Sequence, residues 1–140
     1  KQKASSLPTY LVAKGNKGGD GFANIAQSMS GLYAEAMALT NNVMGCGVPT
    51  SIGFEETFSN VNVAADRLSK MADIAYELYG YEVLHTTQAM NMRMQDGKKV
   101  GEGTTKFLNA YRKTVSFVTK DRIYTYDIKF LRTLDPATLK

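Results

Sequence analysis

Residues 64–84, AADRLSKMADIAYELYGYEVL, place Ala64, Leu68, Met71, Ala75 and Leu78 at alternating spacings of four and three, the period of an apolar helix stripe. Ile74, Tyr81 and Leu84 widen that stripe. The pattern continues outward to about Thr57 on one side and Arg93 on the other, and Gly97 closes it. About 35 helical residues rising 1.5 Å each span roughly 50 Å. A compact domain of this length is only roughly 37 Å across. A helix this long overhangs any core the chain can build alone, so the chain is expected to belong to a larger helical assembly.

The flanking segments are also helical in pattern. From Phe22 to about Met44, the residues Ile25, Met29, Leu32, Ala36 and Leu39 recur at spacings of four and three. Gly45-Cys-Gly47 ends this helix and Val48-Pro49 prevents its continuation. Asp20 is the expected N-cap. Before it, Gly15-Asn-Lys-Gly-Gly-Asp-Gly21 has the glycine content of a phosphate cradle. No Gly-Lys-Ser/Thr follows and no βαβ unit surrounds it, so it reads as a flexible approach to the helix. Thr104 or Thr105 is expected to cap a third helix with the stripe Phe107, Tyr111, Val115 and Val118. A short last helix is expected from Tyr126 to Leu134, stopping before Pro136. Only Ile123-Tyr-Thr-Tyr126 looks β-like, and it is too short to build a sheet. The fold class is therefore all-α, a long-helix bundle in a single segment. Residues 1–21 form a loop approach, 22–96 the central helices with their connecting loop, and 97–140 the C-terminal helices.

Hydrophobic residues make up 44% and the mean hydropathy is −0.25, normal for a globular chain, and no apolar run approaches a membrane span. The first residues carry no signal-peptide core. One cysteine, Cys46, excludes an internal disulfide, suits a reducing cytosol and reads as a small buried hydrophobe. The net charge of +4 raises the question of nucleic acid. The basic residues are scattered pairs, Lys98/Lys99, Arg112/Lys113 and Lys120/Arg122, with no aromatic-basic signature, and read as a solvated helical surface. His85 is the sole histidine; with Cys46 far away in sequence it makes no zinc set, and a packed or interfacial role is expected.

Between the first two helices lies VPTSIGFEE, residues 48–56. Ser51 could cap the long helix, and carboxylates favour the positive end of its dipole. The same loop could deliver Glu55 or Glu56 to a reaction. Residue chemistry alone leaves both readings open.

Four stretches in order resemble the C-terminal portion of the histidine and aromatic amino-acid ammonia-lyases. Leu7-Pro-Thr-Tyr-Leu-Val12 with Gly21-Phe22 is similar to the family's "LPxFLV…SGF", and Glu35 falls where the following helix usually carries a glutamate. Pro49-Thr-Ser-Ile-Gly-Phe-Glu-Glu56 resembles "PTSANQED", matching at Pro49, Thr50, Ser51 and Glu55. Ala65-x-Arg-Leu68, Gln88-Ala89 and Arg93 follow the pattern after that motif, and Asp121-Arg122 with Asp127-Ile128 resembles "DRxxxxDI". The resemblance runs from about residue 7 to 134.

This resemblance implies the C-terminal part of an aspartase/ammonia-lyase-like fold, in tetramers whose active sites are made by several chains. It implies elimination of ammonia from a histidine-like or aromatic L-amino acid, or aminomutase chemistry, in a cytoplasmic enzyme. Glu55 is the implied catalytic carboxylate facing the substrate side chain, with Phe22, Ala23, Ser51 and Phe54 lining the substrate pocket. Ile52-Gly-Phe54 departs from "ANQ" and removes two amides. The family's electrophile, methylidene-imidazolone, forms from Ala-Ser-Gly, which is absent from these residues. The cofactor is thus expected on an upstream or partner chain, and no metal is expected. The implied partner is the N-terminal portion or large subunit of a lyase. A non-catalytic subunit that keeps the scaffold is the alternative.

Overall fold

The computed structural model describes residues 5–43, 45, 47 and 60–134. Among these the regular structure is entirely helical. A 3-10 turn at Thr9–Leu11 is followed by α1 (Ile25–Leu39), α2 (Val61–Gln95), α3 (Glu102–Arg112) and α4 (Thr125–Lys129), which runs on into a 3-10 turn at Phe130–Thr133. The β-like Ile123–Tyr126 forms no strand; Tyr124 instead sits at the N-terminal boundary of α4.

The long helix is present. Its 35 residues span about 52 Å at the standard helical rise. Gly97 terminates it as the sequence indicates: with φ +80 it lets its own N–H reach the Met94 carbonyl at 3.0 Å while the Lys98 N–H reaches Arg93 at 2.9 Å. This paired 5→2 and 6→1 closure needs a left-handed residue, which glycine adopts without strain.

Packing is uneven along α2. Every buried residue on it lies at or beyond Ile74: Ile74, Gly80, Tyr81, Leu84, Thr87, Gln88 and Met92. Earlier in the helix Leu68 remains 68% exposed. α1 lies along α2, and its expected stripe, Ile25, Met29, Leu32, Ala36 and Leu39, is the half-covered face while the rest of the helix is exposed. On α2 the seam is rotated from the expected line. Ile74 is buried as expected, but Arg67 is turned inward and Leu68 and Ala75 outward. Arg67 takes the inward position because its guanidinium donates to the Asn41 carbonyl at 2.9 Å, just past the end of α1.

The core gathers around the second half of α2. Tyr81 and Leu84 meet Phe22 from before α1, Tyr111 from α3, Val115 and Val118 from the segment after it, and Tyr124 and Ile128. Three expectations are corrected here. α3 stops at Arg112, so Val115 and Val118 reach the core from non-helical backbone rather than from a helix stripe. Gly101, not Thr104 or Thr105, occupies the N-cap of α3, and the Thr105 hydroxyl instead donates back to the Gly101 carbonyl at 3.0 Å. Similarly α1 begins at Ile25 with Asn24 at its N-cap, not at Phe22 behind Asp20; the Phe22 N–H is already committed to the Tyr10 carbonyl at 2.9 Å.

Two polar residues organise this core. The fully buried Gln88 side chain accepts from the Val118 N–H at 3.0 Å and donates to the Val118 carbonyl at 2.8 Å. It satisfies both main-chain groups of a residue that no helix serves. Arg112 braces the same segment, donating to Asn91 at 2.6 Å and to the Val115 carbonyl at 3.0 Å.

Tyr111 is fully buried, and burial pushes its phenol up to about 12. Its neutral form contributes stability that is fully present below the ordinary tyrosine value of about 10 and is lost as pH rises through the raised value. Burial also raises Tyr124, so an absorbance titration of the phenolates should show two of the eight tyrosines ionising late, and Tyr111→Phe should remove the later step. Unaltered titration in the variant would contradict the assignment.

Candidate functional site

The approach to α1 is a glycine-rich loop closed by a distant carboxylate. Asp121 accepts from the Asn16 side-chain amide at 2.7 Å, from the Asp20 N–H at 2.7 Å and from the Gly21 N–H at 3.2 Å. Convergent main-chain N–H groups of this kind make an anion-binding concavity. The anion held here is the chain's own. Bonds from Asp20 first, then Asn16, hold the Asp121 carboxyl below the usual carboxylate range. Gly21 has φ +56, and an added Cβ would run into the Tyr10 carbonyl oxygen, so glycine is required at this position.

The neighbouring Arg122 anchors the other side of the link. It donates two bonds to Asp127, at 2.7 and 3.0 Å, and one each to the Ser116 hydroxyl and carbonyl. Asp121-Arg122 and Asp127 thus act in the structure as ties between the C-terminal segment and the loop before α1.

Immediately after the loop come Phe22 and Ala23. Phe22 is only 2% exposed, with its ring 4.7 Å from His85 and 5.3 Å from Tyr124. Ala23 is half-buried in the turn just before the N-cap of α1. His85 packs as the sequence suggests, with Nδ1 2.7 Å from the Tyr81 carbonyl. It also borders an apolar groove of about 530 Å³ between α1 and α2, lined by Met29, Leu78 and Tyr79 with Glu82 and Thr86.

Ser51, Phe54 and Glu55 lie outside the described residues. What flanks them is described. Asn60, in a left-handed conformation at φ +50, donates its side-chain amide to the Val43 carbonyl at 2.9 Å, and Arg67 holds Asn41. The entry to and exit from the stretch 48–56 are therefore tied to each other across the α1–α2 connection. Among the described residues no three His, Cys, Asp or Glu side chains are grouped to hold a metal ion. Among them, too, no helix is long and apolar enough to cross a membrane.

Sequence comparison decides what this scaffold is. The family model for aromatic amino acid lyases matches residues 1–113. The chain belongs to the aromatic amino acid lyase family.

Other comparisons agree with this aromatic amino acid lyase assignment. The chain is 25% identical over 134 residues to histidine ammonia-lyase of Clostridium tetani, covering 96% of this chain and 25% of that protein. Against histidine ammonia-lyase of Pseudomonas fluorescens it is 30% identical over 124 residues, covering 89% of this chain and 24% of that protein. The crystal structure of the ergothioneine-degrading enzyme ergothionase from Treponema denticola superposes with a TM-score of 0.83 at 25% identity, over 95% of this chain and 26% of that one. Histidine ammonia-lyase from Trypanosoma cruzi shares the helical fold, with a TM-score of 0.81 at 22% identity over 95% of this chain and 26% of that one. The chain therefore spans about a quarter of the length of the relatives it matches.

Residue reasoning missed three positions in this lyase segment. Gln88 and Asp121 entered only as pieces of a motif, and Gly80 not at all. Each acts through main chain far away in sequence, which residue spacing does not reveal.

Proposed function

We propose that this chain forms part of an amino-acid ammonia-lyase, or of an aminomutase of the same chemistry, acting on a histidine-like or aromatic L-amino acid in the cytoplasm. The observation that carries this reading is the lyase-family match over residues 1–113, which includes the whole of Pro49–Glu56. In this reading Glu55 accepts a hydrogen bond from the substrate side chain and exchanges a proton with it. Ala23, Ser51 and Phe54 line the pocket, and Phe22, buried against His85 and Tyr124, backs it from the core. Phe22 packs on His85, about 37 Å along α2 from Asn60, whereas the five residues from Asn60 back to Glu55 can reach only roughly 17 Å when extended. In this reading the Glu55 that faces Ala23 therefore comes from a neighbouring chain of the assembly.

Methylidene-imidazolone, the electrophile of such enzymes, requires Ala-Ser-Gly, and these residues do not contain it. It would come from another segment or subunit, where it would supply the electrophile for amine loss. The exposed Leu68, Tyr76 and Tyr79 support an assembly in which neighbouring helices, in a tetrameric core, cover the exposed face of α2.

The test begins by identifying the polypeptide that co-purifies with this chain. The complex is then given L-histidine, L-tyrosine and L-phenylalanine while the absorbance of the unsaturated acid is followed. Glu55→Gln should lower kcat by about 10²- to 10⁴-fold, the range expected for a positioned proton-transfer group. A co-purifying polypeptide without Ala-Ser-Gly would sink the reading. The departure at Ile52-Gly-Phe54 favours one second reading, a non-catalytic subunit that keeps the scaffold. An intact complex carrying Ala-Ser-Gly but turning over none of the three substrates would support it.

A further inference from the structure

We infer that Asp121 is a positioning residue for the substrate pocket, setting where Phe22 and Ala23 sit by clamping the loop that leads to them. The inference rests on the lyase reading above for the identity of the pocket. The clamp itself rests on geometry. One carboxylate gathers the Asn16 side chain and the consecutive N–H groups of Asp20 and Gly21, about one hundred residues away in sequence. The next residue, Phe22, donates its N–H to Tyr10, and Ala23 donates to the Asp20 carbonyl at 3.1 Å. The path from the carboxylate to the main chain of Ala23 thus runs through Asp20 without a break.

The other end of the clamp is equally fixed. Asp121 follows Val118, whose main chain is held on both sides by the buried Gln88 of α2. It precedes Arg122, which binds Ser116 and Asp127. The carboxylate therefore transmits the position of α2 and α4 to the approach of α1. Exposure of Asp121 does not weaken this, because three donors converge on one group and the adjacent glycine accepts the left-handed turn that aims them.

Two variants of the full assembled protein separate positioning from a general loss of stability. Asp127→Asn weakens the neighbouring Arg122 pair without touching the glycine loop. Asp121→Ala removes the clamp. Hydrogen exchange should accelerate about tenfold or more at the Asp20 and Gly21 amides in Asp121→Ala, and stay unchanged there in Asp127→Asn. In turnover assays Asp121→Ala should raise KM about tenfold and change the preference among histidine, tyrosine and phenylalanine, with a smaller change in kcat. Asp121→Asn, which keeps an acceptor oxygen, should recover part of the exchange protection. Unchanged amide exchange in Asp121→Ala overturns the clamp. Faster exchange with KM and preference unaltered overturns its role in the pocket. If the unsubstituted complex shows no turnover, the lyase reading fails, and with it the assignment of a pocket, while exchange still decides the clamp.

Discussion

Gln88→Leu should destabilise the fold by about 2–6 kcal/mol, because it leaves a buried N–H and a buried C=O of Val118 without partners at about 1–3 kcal/mol each. Leucine fills much of the same volume, so the loss reports hydrogen bonding rather than a cavity. The cost is large because Val118 sits in non-helical backbone within the core, where water does not replace the lost partner. Gln88→Glu is expected to fail as well. A carboxylate can still accept from the Val118 N–H but cannot donate to its carbonyl, and it carries a charge into a buried site. Urea unfolding followed by helical circular dichroism measures both variants. A loss below about 0.5 kcal/mol for Gln88→Leu would mean that the Gln88–Val118 pairing contributes nothing net.

Gly80→Ala runs against helix propensity in a way that tests the docking of α4. In an isolated helix the change would stabilise by about 1 kcal/mol. Here a Cβ would overlap the Ile128 carbonyl oxygen and lie 2.9 Å from the carbonyl carbon. Backbone cannot rotate aside as a flexible side chain can, so α4 must lift away from α2. Overpacking of this kind costs about 1–3 kcal/mol, and it also disturbs Ile128, which is part of the core. The expected result is net destabilisation with faster exchange in α4. A variant as stable as the parent would show that α4 repacks freely over α2.

The sequence revealed helices better than it revealed what joins them. The stripe on α1 was legible because it has a single period and one neighbour, and each of its five positions is the covered one. The α2 stripe was legible in existence but rotated in detail. Arg67 carries a polar head that reaches a carbonyl beyond α1, and hydrophobicity alone does not place such a side chain inward. Val115 and Val118 were expected on the stripe of α3 and do reach the core, but α3 ends before them and their burial comes from an irregular segment that Gln88 makes tenable. Gly80 looks unfavourable within a helix and Gln88 looks like an ordinary helix former of an exposed face, while their partners lie tens of residues later. Asp121 is hidden for the same reason. Glu55 stands out only through its place in a family motif, since a carboxylate at a helix start has an ordinary electrostatic explanation.

The uneven burial of α2 has a mechanical meaning. The helix behaves as a beam clamped at Ile74 and beyond, with a more exposed span of roughly 20 Å from there back to Val61 that is held to the end of α1 through Arg67 and Asn41. A 5° flexure about the clamp moves the tip by roughly 2 Å, and a displacement of about 1 Å is enough to cost roughly 10²-fold in rate when a reacting group is misplaced. The residues that precede Val61 in sequence are Pro49–Glu56 and their short continuation. In a lyase built on this beam, the bending stiffness of α2 and of whatever braces its exposed span becomes a determinant of turnover, even for neighbours that never touch substrate.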